Sequence, residues 1–294
     1  MSKIVVIGSS SMDLVVTAPK RPIAGETIIG ESFKTIPGGK GANQAVASSR
    51  LGAEVIMIGR IGDDNYGEVI LENLQKNNID TKYVEPVTGE KSGTAHIILA
   101  EDDNSIIVVK GANDYVTPEY VENALDVIKQ ADIVLIQQEI PEETVEYVAN
   151  ICNELNVSLL LNPAPARRLS QNIIDKARYI TPNEHEASLL FEGLTKEEAL
   201  RKYPNKLFIT EGKNGVRYFN GQSEVLIPSY QVEVVDTTGA GDTFNAAFAV
   251  ALSERKNIDD SIRFANRAAS LSVTKFGAQG GMPIRTEVEG SMEA

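Results

Sequence analysis

The chain has 294 residues, 42% of them hydrophobic and 23% charged, the balance of a globular protein with room for one large domain or two small ones. Its formal net charge of -13 excludes a broad basic surface for nucleic acid or an anionic membrane, although a few local N–H groups can still hold a small anion. The single cysteine, Cys152, excludes an internal disulfide and a multi-cysteine metal site, and it suits a reducing, cytoplasmic setting.

Met1 leads into KIVVIG, too short an apolar run for a secretory signal, and no later run approaches the roughly 18 residues of a membrane span. KIVVIG, EVIMIG, ADIVLIQQ, VSLLLN and KLFITE are apolar almost throughout, as strands covered on both faces are. Asp13 follows the first of them closely, which puts it at the carboxyl ends of the sheet, where α/β proteins place ligands. Residues 12–36 alternate polar and apolar side chains and predict two strands around a Pro/Gly turn. IPGGKGANQAVASSRLG (36–52) crowds Gly38, Gly39 and Gly41 at a helix start, and Asn43 there can both donate and accept, which suits sugar hydroxyls. Read alone, the stretch is also a plain glycine turn.

In YGEVILENLQKNN the residues Val69, Ile70, Leu71 and Leu74 predict one buried helix face. Residues 92–113 predict a hairpin with an Asp102-Asp103-Asn104 turn. TPEYVENALDVIKQ predicts one helix with Thr117 as N-cap and Pro118 at N1, and PEETVEYVANICNEL repeats the scheme. Strands alternating with helices predict a parallel sheet with helices on both faces, and the two alternating stretches predict a small separate sheet beside it. TPNEHEA sets Asn183 and Glu186 three apart, on one helix face, where they can order the water shell of Mg²⁺ or simply start a solvated helix. TEGKNG (210–215) borders a buried strand as a nucleotide wall or a turn. His96 and His185 are too few and too far apart for a metal or a triad.

YQVEVV predicts a strand ending at Asp236, and VDTTGAGDTFNAAFAVAL then starts a helix with Phe244, Ala247, Phe248, Ala251 and Leu252 on its apolar side. Gly239, Ala240 and Gly241 sit at that helix N-terminus, where free N–H groups and the dipole attract an anion. Asp242 stands in the first turn, as a cap or as a chemical group beside the anion. Neither glycine cluster has the G-x-x-x-x-G-K-[ST] or G-x-G-x-x-G spacing, which disfavours P-loop and NAD-dependent readings.

Together GGKGANQAVA and DTTGAGDTFNAAFA resemble the two signatures of the sugar and nucleoside kinase family that holds ribokinases, fructokinases and adenosine kinases. NPAPAR (162–167), TPNEHEA and GAQGG (277–281) resemble its ribose-phosphorylating members, and the resemblance covers essentially the whole chain. It implies a ribokinase-like three-layer α/β/α fold, one domain over 1–294 with a mostly parallel sheet and lid strands from about 12–36 and 92–113. It implies transfer of the γ-phosphoryl of ATP to the primary 5-hydroxyl of D-ribose, with another sugar such as 2-deoxyribose or fructose, or a non-catalytic sugar sensor, as alternatives.

By the same resemblance Gly239, Ala240 and Gly241 cradle the moving phosphoryl, and Asp242 takes the hydroxyl proton. Ser11, Met12, Asp13, Gly38, Gly39, Lys40, Gly41, Ala42, Asn43 and Glu139 frame the sugar, Ser11 standing where some relatives have asparagine. Asn183, Thr210, Glu211, Gly212, Lys213, Asn214, Gly215, Gly241 and Asn266 border ATP, with Glu186 near Mg²⁺. Asp236, Thr238, Ser272, Lys275 and Gly277 form a K⁺ site, and Gly281 replaces a serine that adds a hydroxyl in some relatives. The lid sheet's apolar face, with Val15, Ile28, Ile97, Ile106 and Val108, implies an isologous homodimer through the lids.

Overall fold

Alternation along the first strand decides the layers. Ile4 and Val6 feed one hydrophobic cluster, Val5 and Ile7 feed another on the opposite face, and all four are fully buried. The computed structural model describes residues 2–101 and 103–292. Its first part runs β1 (Lys3–Ile7), β2 (Ser11–Thr17), β3 (Ser32–Gly38), α1 (Lys40–Arg50), β4 (Glu54–Gly62), α2 (Asn65–Lys76), β5 (Asp80–Val87), β6 (Gly93–Ala100) and β7 (Asp103–Val109). The middle holds α3 (Pro118–Glu122), α4 (Leu125–Lys129), β8 (Ile133–Ile136), α5 (Glu142–Glu154), β9 (Ser158–Leu161), α6 (Gln171–Lys176), β10 (Tyr179–Ile180), α7 (Glu184–Leu190) and α8 (Lys196–Lys202). The last part holds β11 (Phe208–Thr210), β12 (Val216–Phe219), β13 (Glu224–Ile227), α9 (Ala240–Ser253), α10 (Ile258–Ser272), α11 (Ala278–Gly281) and α12 (Arg285–Met292).

Six strands form a parallel sheet in the order β10-β9-β8-β1-β4-β5. Side chains of α1, α2, α9, α10 and α12 cover one face, and those of α3 to α8 cover the other. The α/β/α expectation holds. The chain leaves β1 for β4 on one side and β8 on the other, so the carboxyl end of β1 is a switch point of the topology. Phe248 of α9 stands among Phe244, Phe208 and Tyr179 at centroid distances of 5.8, 5.1 and 5.9 Å, geometry worth about 0.5–1.5 kcal/mol per pair beyond burial. No helix among the described residues is long and apolar enough to cross a membrane.

A second sheet of four strands, β3-β2-β6-β7, projects from the body. Val15 opposes Ile97 and Ile97 opposes Ile106, so these three share one face, with Val108 two residues further along β7. Val15 and Ile97 are buried, whereas Ile106 and Val108 are each 48% exposed. The stems of this sheet are clasped. Asn113 accepts from the Ser10 N–H at 2.9 Å and donates to the carbonyls of Ser10 and Lys110 at 2.8 and 2.9 Å. Asp64, the N-cap of α2, takes the backbone and hydroxyl donors of Ser92 at 3.1 and 2.7 Å. Burial pushes against that carboxylate, and the donors of Ser92 and Gly67 overcome it, holding its pKa below the ordinary value.

Several local expectations are corrected. KLFITE reaches the parallel sheet only as an edge neighbour: β11 starts a three-stranded antiparallel sheet with β12 and β13 and runs beside β10 and the residues after it through the isolated parallel bridges Ile180↔Leu207 and Asn183↔Thr210, with Phe208 against Tyr179. YQVEVV forms no strand. Val234 and Val235 are 58% and 60% exposed, and the Val235 and Asp236 N–H groups both reach one carbonyl, that of Val273, instead of a ladder. TPEYVENALDVIKQ breaks into α3 and α4, because the Asn123 amide takes the Glu119 and Tyr120 carbonyls that a continuing helix needs. Thr117 does cap α3, accepting from Tyr120 N. Val69 is 43% exposed while Ile70 and Leu74 are buried, so the α2 face is narrower than predicted. β2 and β3 are joined by the long segment 18–31 rather than a tight turn, and Ile28 lies in that segment, off the sheet face. Of the predicted hairpin turn, Asp102 lies outside the described residues, and Asp103 and Asn104 belong to β7.

Candidate active site

Two helix N-termini meet beside the carboxyl end of β1. The first is that of α1. Gly39 has φ 91°, and a Cβ there would stand 2.8 Å from Ser10 Cα, so only glycine lets α1 start this close to the β1–β2 corner. A Cβ on Gly38 would meet the Asp13 carboxylate at 2.5 Å, which puts Asp13 of β2 against the same turn. Glu139, just past β8, accepts from the Ser9 hydroxyl and from the Lys40 N–H at 3.0 Å. The Ala42 N–H donates to the Ser9 carbonyl at 2.9 Å. Ser11 and Met12 are buried in β2 below this corner.

The second N-terminus is that of α9. Gly239 has φ 80° and lies against Ala278, 2.8 Å from a built Cβ to its Cα, whereas a Cβ on Gly241 would meet nothing within 4 Å. The first turn of α9, with Ala240 at its start, therefore opens on free space at Gly241. Asp242 is buried there, and its Oδ2 accepts from Asn43 Nδ2 at 2.9 Å.

The electrostatics are lopsided. Burial, with the charges of Glu139 and Asp242, pushes the Asp13 carboxyl up to about 7 from an ordinary 3.8, against the Ser11 hydrogen bond and Lys40. Burial works against the Lys40 ammonium, yet Asp242, Glu139, Glu186 and Asp13 together hold its pKa above the usual value. Burial also raises Glu186 despite the Asn183 N–H and Lys40. Four carboxylates thus share one lysine. Among the described residues no group of three or more His, Cys, Asp or Glu side chains converges closely enough to hold a metal alone.

Asn183 is the N-cap of α7 rather than a member of a helix face, and it forms a reciprocal box with Glu186, each side chain accepting from the other's N–H at 2.8 Å. That pairing uses one Glu186 oxygen, Oε2. Thr210 ends β11, and Gly212, Lys213 and Asn214 form a single 3₁₀ turn closed by Gly215. The Glu211 carboxylate is taken up by Arg217 at 2.6 Å and Lys196 at 2.9 Å, so this residue offers the site only its backbone. Asn266 is buried on α10, and its amide nitrogen donates to the carbonyls of Ile227 and Pro228, each at 3.1 Å.

Asp236 staples two loops: Oδ1 accepts from Thr238 N at 2.9 Å and Oδ2 from Gly277 N at 2.8 Å. Burial opposes the charge, but these donors keep its pKa below the ordinary value. Ser272 is buried, and its carbonyl oxygen lies 1.9 Å from where a Cβ of Gly281 would stand, so any side chain at 281 displaces backbone. The Lys275 ammonium points away toward Glu287 at 3.9 Å, which leaves only its carbonyl for a cation. Phe276 lies under Lys34 of β3, 4.5 Å from ammonium to ring centre, and joins this loop to the projecting sheet.

Residues that the sequence reading passed over complete the centre. Gln44 donates to Asp242 Oδ1 and to Asn162 Oδ1, both at 3.1 Å, and accepts from Gln137 at 2.7 Å. Gln279 donates to Asn43 Oδ1 at 3.0 Å. The available signal was position: Gln44 directly follows Asn43, Gln137 ends a buried strand and Gln279 lies inside GAQGG.

Residues 1–285 match the model of the pfkB family carbohydrate kinases. A ribokinase of Bacillus subtilis is 68% identical over 289 residues, covering 98% of this chain and 99% of that one. A ribokinase of Lactococcus lactis is 49% identical over 294 residues, covering 100% and 98%. The structure of Arabidopsis thaliana ribokinase complexed with ribose and ATP superposes over 100% of both chains with a TM-score of 0.91 at 35% identity.

Proposed function

The chain belongs to the pfkB family of carbohydrate kinases, and we infer from that membership and from the acidic centre at Asp242 that it transfers the γ-phosphoryl group of ATP to D-ribose, giving ribose 5-phosphate. It is an ATP-dependent sugar kinase. The observation that carries the mechanism is the meeting of Asp242 with the open N-terminus of α9 at Gly241. The ribose hydroxyl oxygen bonds to the γ-phosphorus while the bond to the β–γ bridging oxygen breaks, ADP leaves, and the hydroxyl proton passes to Asp242. The Gly239, Ala240 and Gly241 N–H groups hold the transferring charge, where a helix N-terminus is worth most, and the Ala240 N–H, which here donates to the Thr237 carbonyl at 3.2 Å, exchanges that partner for the phosphoryl. Asp13, Asn43 and Glu139 take the other sugar hydroxyls, framed by Ser11, Met12 and Gly38 to Ala42. Asn183, the 210–215 turn and Asn266 line the nucleotide.

Four carboxylates beside one lysine repel a triphosphate, and the free oxygen of Glu186 is a hard donor suited to Mg²⁺ through water. Bound there, Mg²⁺ would neutralise phosphate charge. The charged Asp236, tying together the loops of Thr238 and Gly277, suits K⁺, with Thr238, Ser272, Lys275 and Gly277 as the further ligands that the family resemblance supplies. K⁺ would stiffen the pair of loops from which α9 starts. Turnover with ATP and a panel of ribose, 2-deoxyribose and fructose tests the reading: ribose is consumed with the highest kcat/KM. The rate in K⁺ exceeds that in Na⁺ at matched ionic strength, and equal rates with K⁺ rigorously removed count against the cation site.

The half-exposed Ile106 and Val108 support a homodimer through the projecting sheets, which close as lids over the sugar. Ile106→Glu then yields a monomer with a raised KM for ribose. A wild-type chain that sediments as a monomer at micromolar concentration removes the dimer, and a monomeric variant with normal ribose KM removes its link to the site. A cytoplasmic location belongs to the same reading, supported by a single cysteine, Cys152, that forms no disulfide.

A further inference from the structure

Each oxygen of Asp242 meets one side-chain amide, Asn43 at Oδ2 and Gln44 at Oδ1. Gln44 is fully buried, so it acts on Asp242 from behind. A side-chain amide can turn half a rotation with no change of shape, and that flip would set its carbonyl oxygen against the carboxylate. Gln137 forbids it. Its Nε2 donates to Gln44 Oε1 at 2.7 Å, so a turned Gln44 would oppose donor to donor there and acceptor to acceptor at both Asp242 and Asn162.

Keeping this polarity has a cost. Among the described residues Gln137 Oε1 has no hydrogen-bond partner although it is buried, and it lies 2.0 Å from where a Cβ of Gly8 would stand, in room that only a glycine leaves. An orphaned buried acceptor destabilises a fold. Turning Gln137 to relieve it would break the donation that fixes Gln44. The orphan and the fixed polarity are therefore two sides of one arrangement.

We propose that Gln44, locked by Gln137, is a positioning residue that holds the Asp242 carboxylate in the orientation required for proton removal from the sugar. The role rests on the reading of Asp242 as the base. In the purified full-length enzyme Gln44→Met, which keeps the volume and removes the donor, lowers kcat about 10- to 50-fold and changes both KM values less than about threefold, since Gln44 is fully buried. Gln137→Met, which removes the donor that steadies Gln44 Oε1 and leaves Gln44 held only by Asp242 and Asn162, lowers kcat about three- to tenfold. On an Asp242→Asn background neither change lowers kcat further.

A folded Gln44→Met enzyme with wild-type kcat overturns the proposal. So does a loss confined to KM, or a full multiplicative loss on the Asp242→Asn background. If Gln44→Met does not fold, Gln137→Met decides by the same criteria. The two readings fail separately. An Asp242→Asn enzyme with more than about half of wild-type kcat removes the base itself. An inactive Asp242→Asn beside a fully active Gln44→Met removes only the positioning role.

Discussion

Asp242→Asn lowers kcat by about 10²-fold or more while the fold and ribose binding persist, because a positioned base contributes about that much to proton transfer. The change keeps the side chain's shape and takes away the oxygen that receives the proton. It also leaves one N–H₂ facing a donor, since both Asp242 oxygens now accept from amides, so Asn43 or Gln44 must turn away. Steady-state kinetics with saturating ATP check this. A variant that keeps more than about half of the wild-type kcat rules out Asp242 as the base.

Asp13→Asn weakens ribose binding and yet stabilises the ligand-free enzyme at alkaline pH. Burial beside Glu139 and Asp242 raises the Asp13 pKa from 3.8 to about 7. Below the unfolded value both states hold the proton and the group is neutral to stability. Between about pH 4 and 7 the unfolded chain has lost the proton and the native one keeps it, so stability falls as pH rises, by up to about 4 kcal/mol once the native group has also ionised. Asparagine carries no such penalty. The expected result is a higher melting temperature than wild type at pH 8 and little difference near pH 4. Loss of a charged acceptor for sugar hydroxyls weakens ribose by about 10- to 100-fold in KM. Melting curves of the two proteins that run parallel from pH 4 to 8 would refute the charge argument, whatever happens to KM.

The features legible in the sequence were those whose cause is local. Runs such as IVVI and IVLI are buried on both faces and say so in composition. Glycines at 38, 39, 239 and 241 announce two helix starts approached closely by something else. YQVEVV misled because β-branched residues favour a strand only where a partner strand exists, and among the described residues no strand pairs with Val234 and Val235. KLFITE misled for a related reason: a buried strand in an antiparallel sheet reads the same as one in a parallel sheet when both its faces are covered. The split of α3 from α4 turned on one asparagine amide, which propensity alone does not resolve. The amides of Gln44, Gln137, Asn162 and Gln279 come together only through packing of α1 on α9 and on the ends of β8 and β9, and no spacing along the chain encodes that meeting.

β1 lies at the very start of the chain and at the centre of the sheet, with Ile4 between Val55 of β4 and Ile133 of β8. During synthesis β1 is made before both of its neighbours, and its pairing is completed only with the later of them. Once β4 has left the ribosome, one edge of β1 is paired, and its other edge stays bare until residues 133–136 emerge. For that interval an apolar strand with open N–H and C=O groups is a template for the wrong neighbour. The order of the strands in space, so useful for gathering the carboxylates at the tip of β1, thus also sets an exposed moment in the making of this sheet, the stretch of synthesis between β4 and β8.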